Sequence, residues 1–576
     1  MKRRQQFDIS LLALVCFALA ICPVASGESV MVPMRDGVKL PTIISLPGSG
    51  SYPVILTRGY TASGLSSHAG RFNKAGYAFV SQQCRGGGGS DGTRFFPDDK
   101  DGYDAIEWIG RQPWCNGKVA MWGGSYWGAT QWRAAVAQPP GLKAIVPGFI
   151  NADPWKDQYR SHGAIHLKMT TQSNRAIPDG DYSLDQWKQM LSFLPLIDMD
   201  KQFLGREDKL WNDYVTHSSH DDYWKAIGMR QGNKYSKVKI PVYCMAGWRD
   251  YYAGAALESY QALTTRSRSP RPVFDGRGSP DVRLRIGDHG HSGAPDITET
   301  IRWLDHHLKG LDTGIKNEPP IKIQVRHGRW RMENDWPLKG TKFTTYYLRS
   351  PKGARFGSLS PQPPGREPPN RYSYDPNDPV LTLGANGSHF SVPNLLVVGP
   401  ADQRGNEDRQ DVLVYSTPAL RQDMEVIGPV EARLYAASSA RDTDFTIKLI
   451  DVYPDGRALN VTEGIVRARF RSSIWDTPSP VPASPVQVAQ VQALIEPEKI
   501  YQYKVELLPV AIIFKKGHRI RIHVSSSSWP LWDRNQNTGN PIGMDAEVIV
   551  AQQSIHHDSN HASHIVLPII SDRGTK

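Results

Sequence analysis

Cysteine is scarce in this 576-residue chain: Cys16 and Cys22 fall within the first 26 residues, and only Cys84, Cys115 and Cys244 lie beyond them. Three thiols cannot all pair, so a disulfide framework is excluded, at most one bridge exists, and buried free thiols are the expected state. Long apolar runs are missing too. Only residues 11–21 form one, and it is shorter than the ~20 residues that a membrane-spanning helix needs. Charge of one sign is nowhere concentrated: 68 basic and 57 acidic residues interleave along the chain. The formal net charge of +11 therefore describes a mildly basic surface rather than a nucleic-acid-binding arm. There is no internal repeat and no long low-complexity tract. With 39% hydrophobic and 10% aromatic residues, the chain reads as globular rather than disordered or fibrous.

What is present begins with a leader. Lys2, Arg3 and Arg4 precede the apolar run, and Pro23, Ala25, Ser26 and Gly27 follow it, the charged, apolar, small order of an export signal. Cleavage near Ser26 or Gly27 and a periplasmic or secreted location are expected, with no integral membrane segment afterwards. Leu19-Ala20-Ile21-Cys22 also resembles a lipoprotein box, but Ile21 is bulkier than that box prefers. The remaining length exceeds one ordinary hydrophobic core, so two or three domains are expected.

Short apolar runs at 53–56, 78–80, 119–122 and 144–146 alternate with helical stretches, the pattern of an α/β protein with a parallel sheet. Residues 153–236 mix Trp, Tyr, His, Lys and Asp, with helical spacing at Trp187, Met190, Leu191 and Leu194; they read as a helical cap. The sheet resumes at 240–245 and 282–286. After Gly310 helical signals nearly vanish. Val466, Ala468 and Phe470 alternate with arginines, and Ile520, Ile522 and Val524 alternate with Arg519, Arg521 and His523, which predicts a C-terminal sandwich or jelly roll with a Pro-rich loop at 360–369. The expected division is a leader at 1–26, a catalytic core at 27–152 and 237–315, a cap at 153–236 and a β domain at 316–576.

Residues 119–129 read as an apolar strand, a Gly123-Gly124-Ser125 turn and a helix, the setting of a nucleophile elbow, where small neighbours let strand and helix approach closely. The last glycine, Gly128, lies one position later than in Gly-x-Ser-x-Gly. An acid and a histidine should then follow in that order, each just after a strand. Asp250 follows 240–245, and Gly287-Asp288-His289-Gly290-His291 follows 282–286. Asp250 would orient an imidazole that takes the Ser125 proton. His289 and His291 both qualify.

Gly-Gly-Ser-Tyr-Trp-Gly at 123–128 joins "CRGGGGSDG" at 84–92, "GWRD" ending at Asp250, "GDHGH" ending at His291, "WLDHHLKG" at 303–310 and "FKKGHRIRIHVSSSSWP" at 514–530. Together they resemble the CocE/NonD hydrolase family, which includes cocaine esterase, α-amino acid ester hydrolases and X-Pro dipeptidyl-peptidases. The resemblance implies an α/β-hydrolase core, a helical cap and a C-terminal jelly roll. It accounts for Gly128 and selects His291 over His289, although Asp288 and His289 depart from the family's usual loop. It also implies an oxyanion hole from the Tyr60 hydroxyl and the Tyr126 backbone N–H. Tyr252 and Ala253 stand where one subgroup carries ammonium-binding acids, which disfavours that subgroup's substrates.

Trp127, Trp155, Tyr159 and Trp248 are candidate pocket residues and read equally well as core. Gly86 to Gly89 lack the Gly-Lys-Ser/Thr of a phosphate cradle and read as a tight turn near the site. His556, His557, His561 and His564 with Asp558 have a spacing that suits a metal, yet neither metal nor organic cofactor is expected. The expected activity is hydrolysis of an ester, or of an amide, through an acyl-serine. An X-Pro exopeptidase is the alternative within the class, and a glycan-binding sandwich the alternative outside it.

Overall fold

Ten strands of the described residues make one mixed sheet whose central members carry buried apolar runs. They are β1 (Glu28–Pro33), β2 (Lys39–Ser45), β3 (Tyr52–Gly59), β4 (Ala78–Gln83), β5 (Cys115–Gly124), β6 (Leu142–Gly148), then, after the short hairpin β7 (Arg160–Ser161) and β8 (Ala164–Ile165), β9 (Val242–Gly247), β10 (Val282–Gly287), β11 (Ile321–Gln324) and β12 (Trp330–Glu333). The order is β1-β2-β4-β3-β5-β6-β9-β10-β11-β12, parallel from β4 to β11 and antiparallel at both edges. Buried runs such as Val54-Ile55-Leu56 and Val119-Ala120-Met121-Trp122 suit a sheet covered on both faces. The covering helices are α1 (Ala69–Lys74), α2 (Asp99–Gly110) and α3 (Tyr126–Ala137). The computed structural model describes residues 27–87, 90, 99–171, 175–230, 234–264, 281–291, 295–385, 392, 395–471 and 492–571. The leader, with Cys16 and Cys22, and Gly88 and Gly89 lie outside these.

Between β6 and β9 come α4 (Leu167–Thr171), α5 (Leu184–Leu191), α6 (Met199–Leu204), α7 (Lys209–Thr216), α8 (Asp222–Ile227) and α9 (Lys234–Lys237). Helix α5 starts at a capping box, Ser183 with Gln186, and buries Trp187, Met190 and Leu191. Two further helices, α10 (Ala253–Leu263) and α11 (Ile297–Lys309), return to the sheet. Among the described residues no helix is long and apolar enough to cross a membrane.

The C-terminal half is a β-sandwich. Its strands are β13 (Thr341–Arg349), β14 (Phe356–Ser360), β15 (Asn370–Tyr374), β16 (Leu413–Ser416), β17 (Met424–Ser438), β18 (Asp444–Val452), β19 (Ala458–Arg467), β20 (Tyr501–Phe514), β21 (Arg519–Ser525), β22 (Ala551–His556) and β23 (His564–Ile570). Leu434, Phe445, Ile447, Tyr503, Ile522 and Ile565 fill its core. The alternation at 519–524 is indeed a strand. The one at 466–471 is not: β19 stops at Arg467 and a 3-10 turn follows, with Arg467 and Arg469 buried beside the apolar residues. Arg467 meets Asp444 at 2.9 Å and Asp533 at 3.0 Å, and Arg469 meets Asp442 at 2.7 Å. Paired charge, not solvent, satisfies these guanidinium groups.

Cap and sandwich share a core in which Trp155, Tyr159, Trp211 and Trp224 pack with Phe470, Trp529 and Trp532. Hairpin β7–β8 is tied to the sandwich by Leu167 N–H to the Leu531 carbonyl (3.1 Å) and Asp533 N–H to the Ile165 carbonyl (2.8 Å). His166 Nε2 faces Ser161 Oγ at 2.7 Å and accepts from Trp532 Nε1 at 3.4 Å. Glu506 of β20 meets Lys156 (3.4 Å) and His162 (3.6 Å) of the cap.

Candidate active site

Ser125 stands between the last residue of β5 and the first of α3, with φ 57° and ψ −127°. A non-glycine residue there stores ~1–3 kcal/mol of strain, held by its surroundings. Its N–H donates to the Gly148 carbonyl (2.9 Å), and its carbonyl accepts from Gly128 (2.8 Å) and Ala129 (3.1 Å). The glycines have steric reasons. A Cβ at Gly123 would come within 2.5 Å of Trp127 Cβ, and one at Gly128 within 2.9 Å of both the Gly148 carbonyl and Ile150.

The loops after β9 and β10 are laced together. Trp248 N–H donates to the Gly287 carbonyl (2.9 Å) and Arg249 N–H to the His289 carbonyl (3.1 Å). A Cβ at Gly247 would lie 2.2 Å from the His289 carbonyl oxygen. The lacing brings Asp250, fully buried, to His291: its Oδ2 accepts from His291 Nδ1 at 2.8 Å while Oδ1 accepts the Tyr252 N–H at 3.3 Å. With the proton on Nδ1, the neutral imidazole carries its lone pair on Nε2. The His291 ring lies between Phe149 and Tyr252, each at 5.7 Å. His289 has a different partner, the Gly290 carbonyl at 2.8 Å from its Nδ1. Asp288, the other unusual residue of this loop, lies 3.4 Å from both Arg249 Nε and Arg326 Nε.

Tyr60 follows β3, is 39% exposed, stacks on Tyr126 at 4.1 Å and meets the Trp127 ring edge-on at 5.7 Å. The Gly-rich turn packs beside it: a Cβ at Gly87 would approach the Tyr60 carbonyl to 2.6 Å. Arg85 anchors that turn to Asp101 of α2. Burial, then the neighbouring Cys84 and Tyr60, push the Tyr126 phenol well above its ordinary pKa.

The four pocket aromatics separate. Tyr159, buried, takes a hydrogen bond from the Tyr214 hydroxyl (3.0 Å) and lies within electrostatic reach of Tyr60. Trp127 packs against Gly59 and Gly64, so it fills the space beside the Tyr60 turn. Trp155 donates to the Ser218 carbonyl (3.2 Å) and belongs to the cap–sandwich core. Trp248 donates to the Gln324 carbonyl (2.8 Å) and stacks on Trp336, within the core of the sheet. The sequence reading passed over Phe149, which touches both His289 and His291 and adopts φ 49° just past β6. The signal was its position at a strand's C-terminal end, where sites of parallel sheets collect.

The three later cysteines are free, Cys84 and Cys244 buried and Cys115 partly so. Of the C-terminal histidines, His557 contacts Asn370 (2.8 Å) and Glu367 (3.4 Å), and His564 bonds within its own turn to the Ala562 carbonyl. His556, Asp558 and His561 come together, with ligand atoms within 4.8 Å of one another.

Residues 36–293 match the X-Pro dipeptidyl-peptidase (S15 family) model, and residues 313–566 match that of the X-Pro dipeptidyl-peptidase C-terminal non-catalytic domain. The chain is 35% identical to cocaine esterase of Rhodococcus sp. (strain MB1 Bresler), over 94% of this chain and 98% of that protein. Among solved structures it is similar to an α-amino acid ester hydrolase, with 25% identity, TM-score 0.78 and coverage of 95% and 97% of the two chains. A CocE/NonD family hydrolase of Staphylococcus aureus, at 18% identity and TM-score 0.67 over 95% and 93% of the chains, shares the fold.

Proposed function

The chain belongs to the CocE/NonD family of serine hydrolases, and from that premise we propose that it is an exported esterase working through an acyl-enzyme on Ser125. His291 Nε2 takes the hydroxyl proton as Ser125 Oγ bonds to the ester carbonyl carbon. The same nitrogen returns the proton to the departing alcohol as the ester bond breaks. Water, activated by His291 in turn, then releases the acid. Asp250 keeps the Nδ1 proton in place and balances the imidazolium that forms between these steps. The Tyr60 hydroxyl and the Tyr126 N–H receive the negative charge that develops on the carbonyl oxygen.

One observation carries this reading: a fully buried carboxylate bonded at 2.8 Å to His291 Nδ1, in a sheet whose β5–α3 turn holds Ser125 at a positive φ. The similarity to cocaine esterase supports an ester rather than an amide. Tyr252 is buried against His291 and Ala253 is a methyl, so neither balances a substrate ammonium there. A peptide substrate of the X-Pro type is the second reading, favoured by the two domain models that match. The leader at 1–26 supports export.

A fluorophosphonate probe should label the wild type at Ser125 and leave Ser125→Ala unlabelled; equal labelling of both sinks the assignment. Turnover of p-nitrophenyl esters against Gly-Pro-p-nitroanilide decides between the two substrate classes, and the ester is expected to win.

A further inference from the structure

The turn between β22 and β23 presents a second group of chemically active side chains in the sandwich half. His556 is the last residue of β22, and Asp558 and His561 sit on the turn. Their ligand atoms all lie within 4.8 Å of one another, and each residue is half-buried. The turn holds them there by its own bonds. His557 and Ala562 form a bridge across it, and the Ser563 hydroxyl donates to the His556 carbonyl (2.5 Å) while accepting the Tyr435 N–H (2.9 Å). Asp558 Oδ1 accepts the N–H groups of Asn560 (2.8 Å) and His561 (3.0 Å), and Oδ2 faces His561 Nδ1 at 3.2 Å. The carboxylate is thus oriented through one oxygen, with the other turned toward the His561 imidazole.

We propose that His556, Asp558 and His561 form a binding site for one divalent transition-metal ion of the zinc type, which clips the β22–β23 turn. Two imidazole nitrogens and a carboxylate oxygen are the donor set of such ions. Calcium and magnesium instead take six or more oxygens. Three protein ligands with water completing the shell satisfy tetrahedral zinc. Ligand atoms around tetrahedral zinc lie ~3.4 Å apart, so a group already within 4.8 Å has at most ~1.4 Å to close. An imidazole nitrogen binds a metal only when it carries no proton, so metal and proton compete for such a site. His557 and His564 are committed elsewhere and stay outside it. No step of ester hydrolysis at Ser125 uses this ion; its effect is on the sandwich.

Titration of the full chain with zinc chloride by calorimetry should show one site of micromolar affinity. Cobalt chloride should give visible absorption bands at the same stoichiometry, and zinc should raise the melting temperature. His556→Ala and His561→Ala, each checked by circular dichroism, should abolish the site, and Asp558→Asn, which removes the ligand's charge, should weaken it. His561→Gln serves should the alanine variant fold poorly. His306→Ala, which removes an imidazole on α11, should bind as the wild type does. The proposal is overturned if zinc binds no tighter than millimolar, or if both histidine variants bind like the wild type. Ester turnover, followed in parallel, should be the same in all these variants, so failure here leaves the Ser125 reading standing.

Discussion

His289 and His291 stand two residues apart in one loop, and their partners divide their roles. Only His291 reaches a buried carboxylate, so His291→Ala should lower kcat/KM by ~10⁴-fold. His289, bonded to the neighbouring Gly290 carbonyl, should cost less than about tenfold when replaced by Ala, about 1.4 kcal/mol. Steady-state kinetics on one activated ester decides; a dead His289→Ala with an active His291→Ala reverses the assignment. Tyr60→Phe keeps the ring that stacks on Tyr126 and removes the hydroxyl alone. It should lower kcat by ~10²–10³-fold with little change in KM. The pairing of Asp250 with His291 was legible because each follows a strand in a short motif, and the sterics at Gly123 and Gly128 lie in the spacing around Ser125. The pocket aromatics were not. A tryptophan's type does not say which side of a sheet it packs on, and Trp248 turned into the core of the sheet beside Trp336. Phe149 carries no polar group to draw notice, and its place against His289 and His291 comes only from folding β6 beside β9, which pairs in turn with β10.

Among the elements, hairpin β7–β8 joins cap to sandwich, and His166, the residue that follows it, makes stability depend on pH. Burial holds the His166 imidazole down to about 3, from an ordinary 6.5. Between those values the unfolded chain binds a proton that the folded chain refuses. Stability from this group is therefore full above pH 6.5 and is lost as pH falls toward 3, on the order of a few kcal/mol. Urea unfolding at pH 7, 5.5 and 4.5 should show that decline in the wild type and a shallower one in His166→Gln. Equal slopes would mean that His166 is not held neutral. The central strands and the cap helices were readable from apolar runs and helical spacing, because burial on two faces or one stripe leaves a periodic trace. The segment 466–471 was not, because its arginines are buried against Asp442, Asp444 and Asp533, partners scattered over about 90 residues of sequence.

Across the whole molecule, the two halves matched by separate family models share buried apolar surface, although the sandwich also has a core of its own. Ile427, Ala511 and Ile570 of the sandwich half pack into the core of the first sheet, and Phe470, Trp529 and Trp532 complete that of the cap. A chain ending at residue 315 should therefore expose large apolar surface, bind a hydrophobic dye, aggregate on gel filtration and lack esterase activity. A soluble, active fragment with a cooperative melt would refute this interdependence. The lacing of the acid and histidine loops has a different kind of consequence. Because Gly247 admits no side chain and the loops share backbone hydrogen bonds, Asp250 and His291 can shift only as one body. In evolutionary terms the two loops are one unit of change: a residue larger than glycine at 247 must be matched by a shift of the His289 backbone.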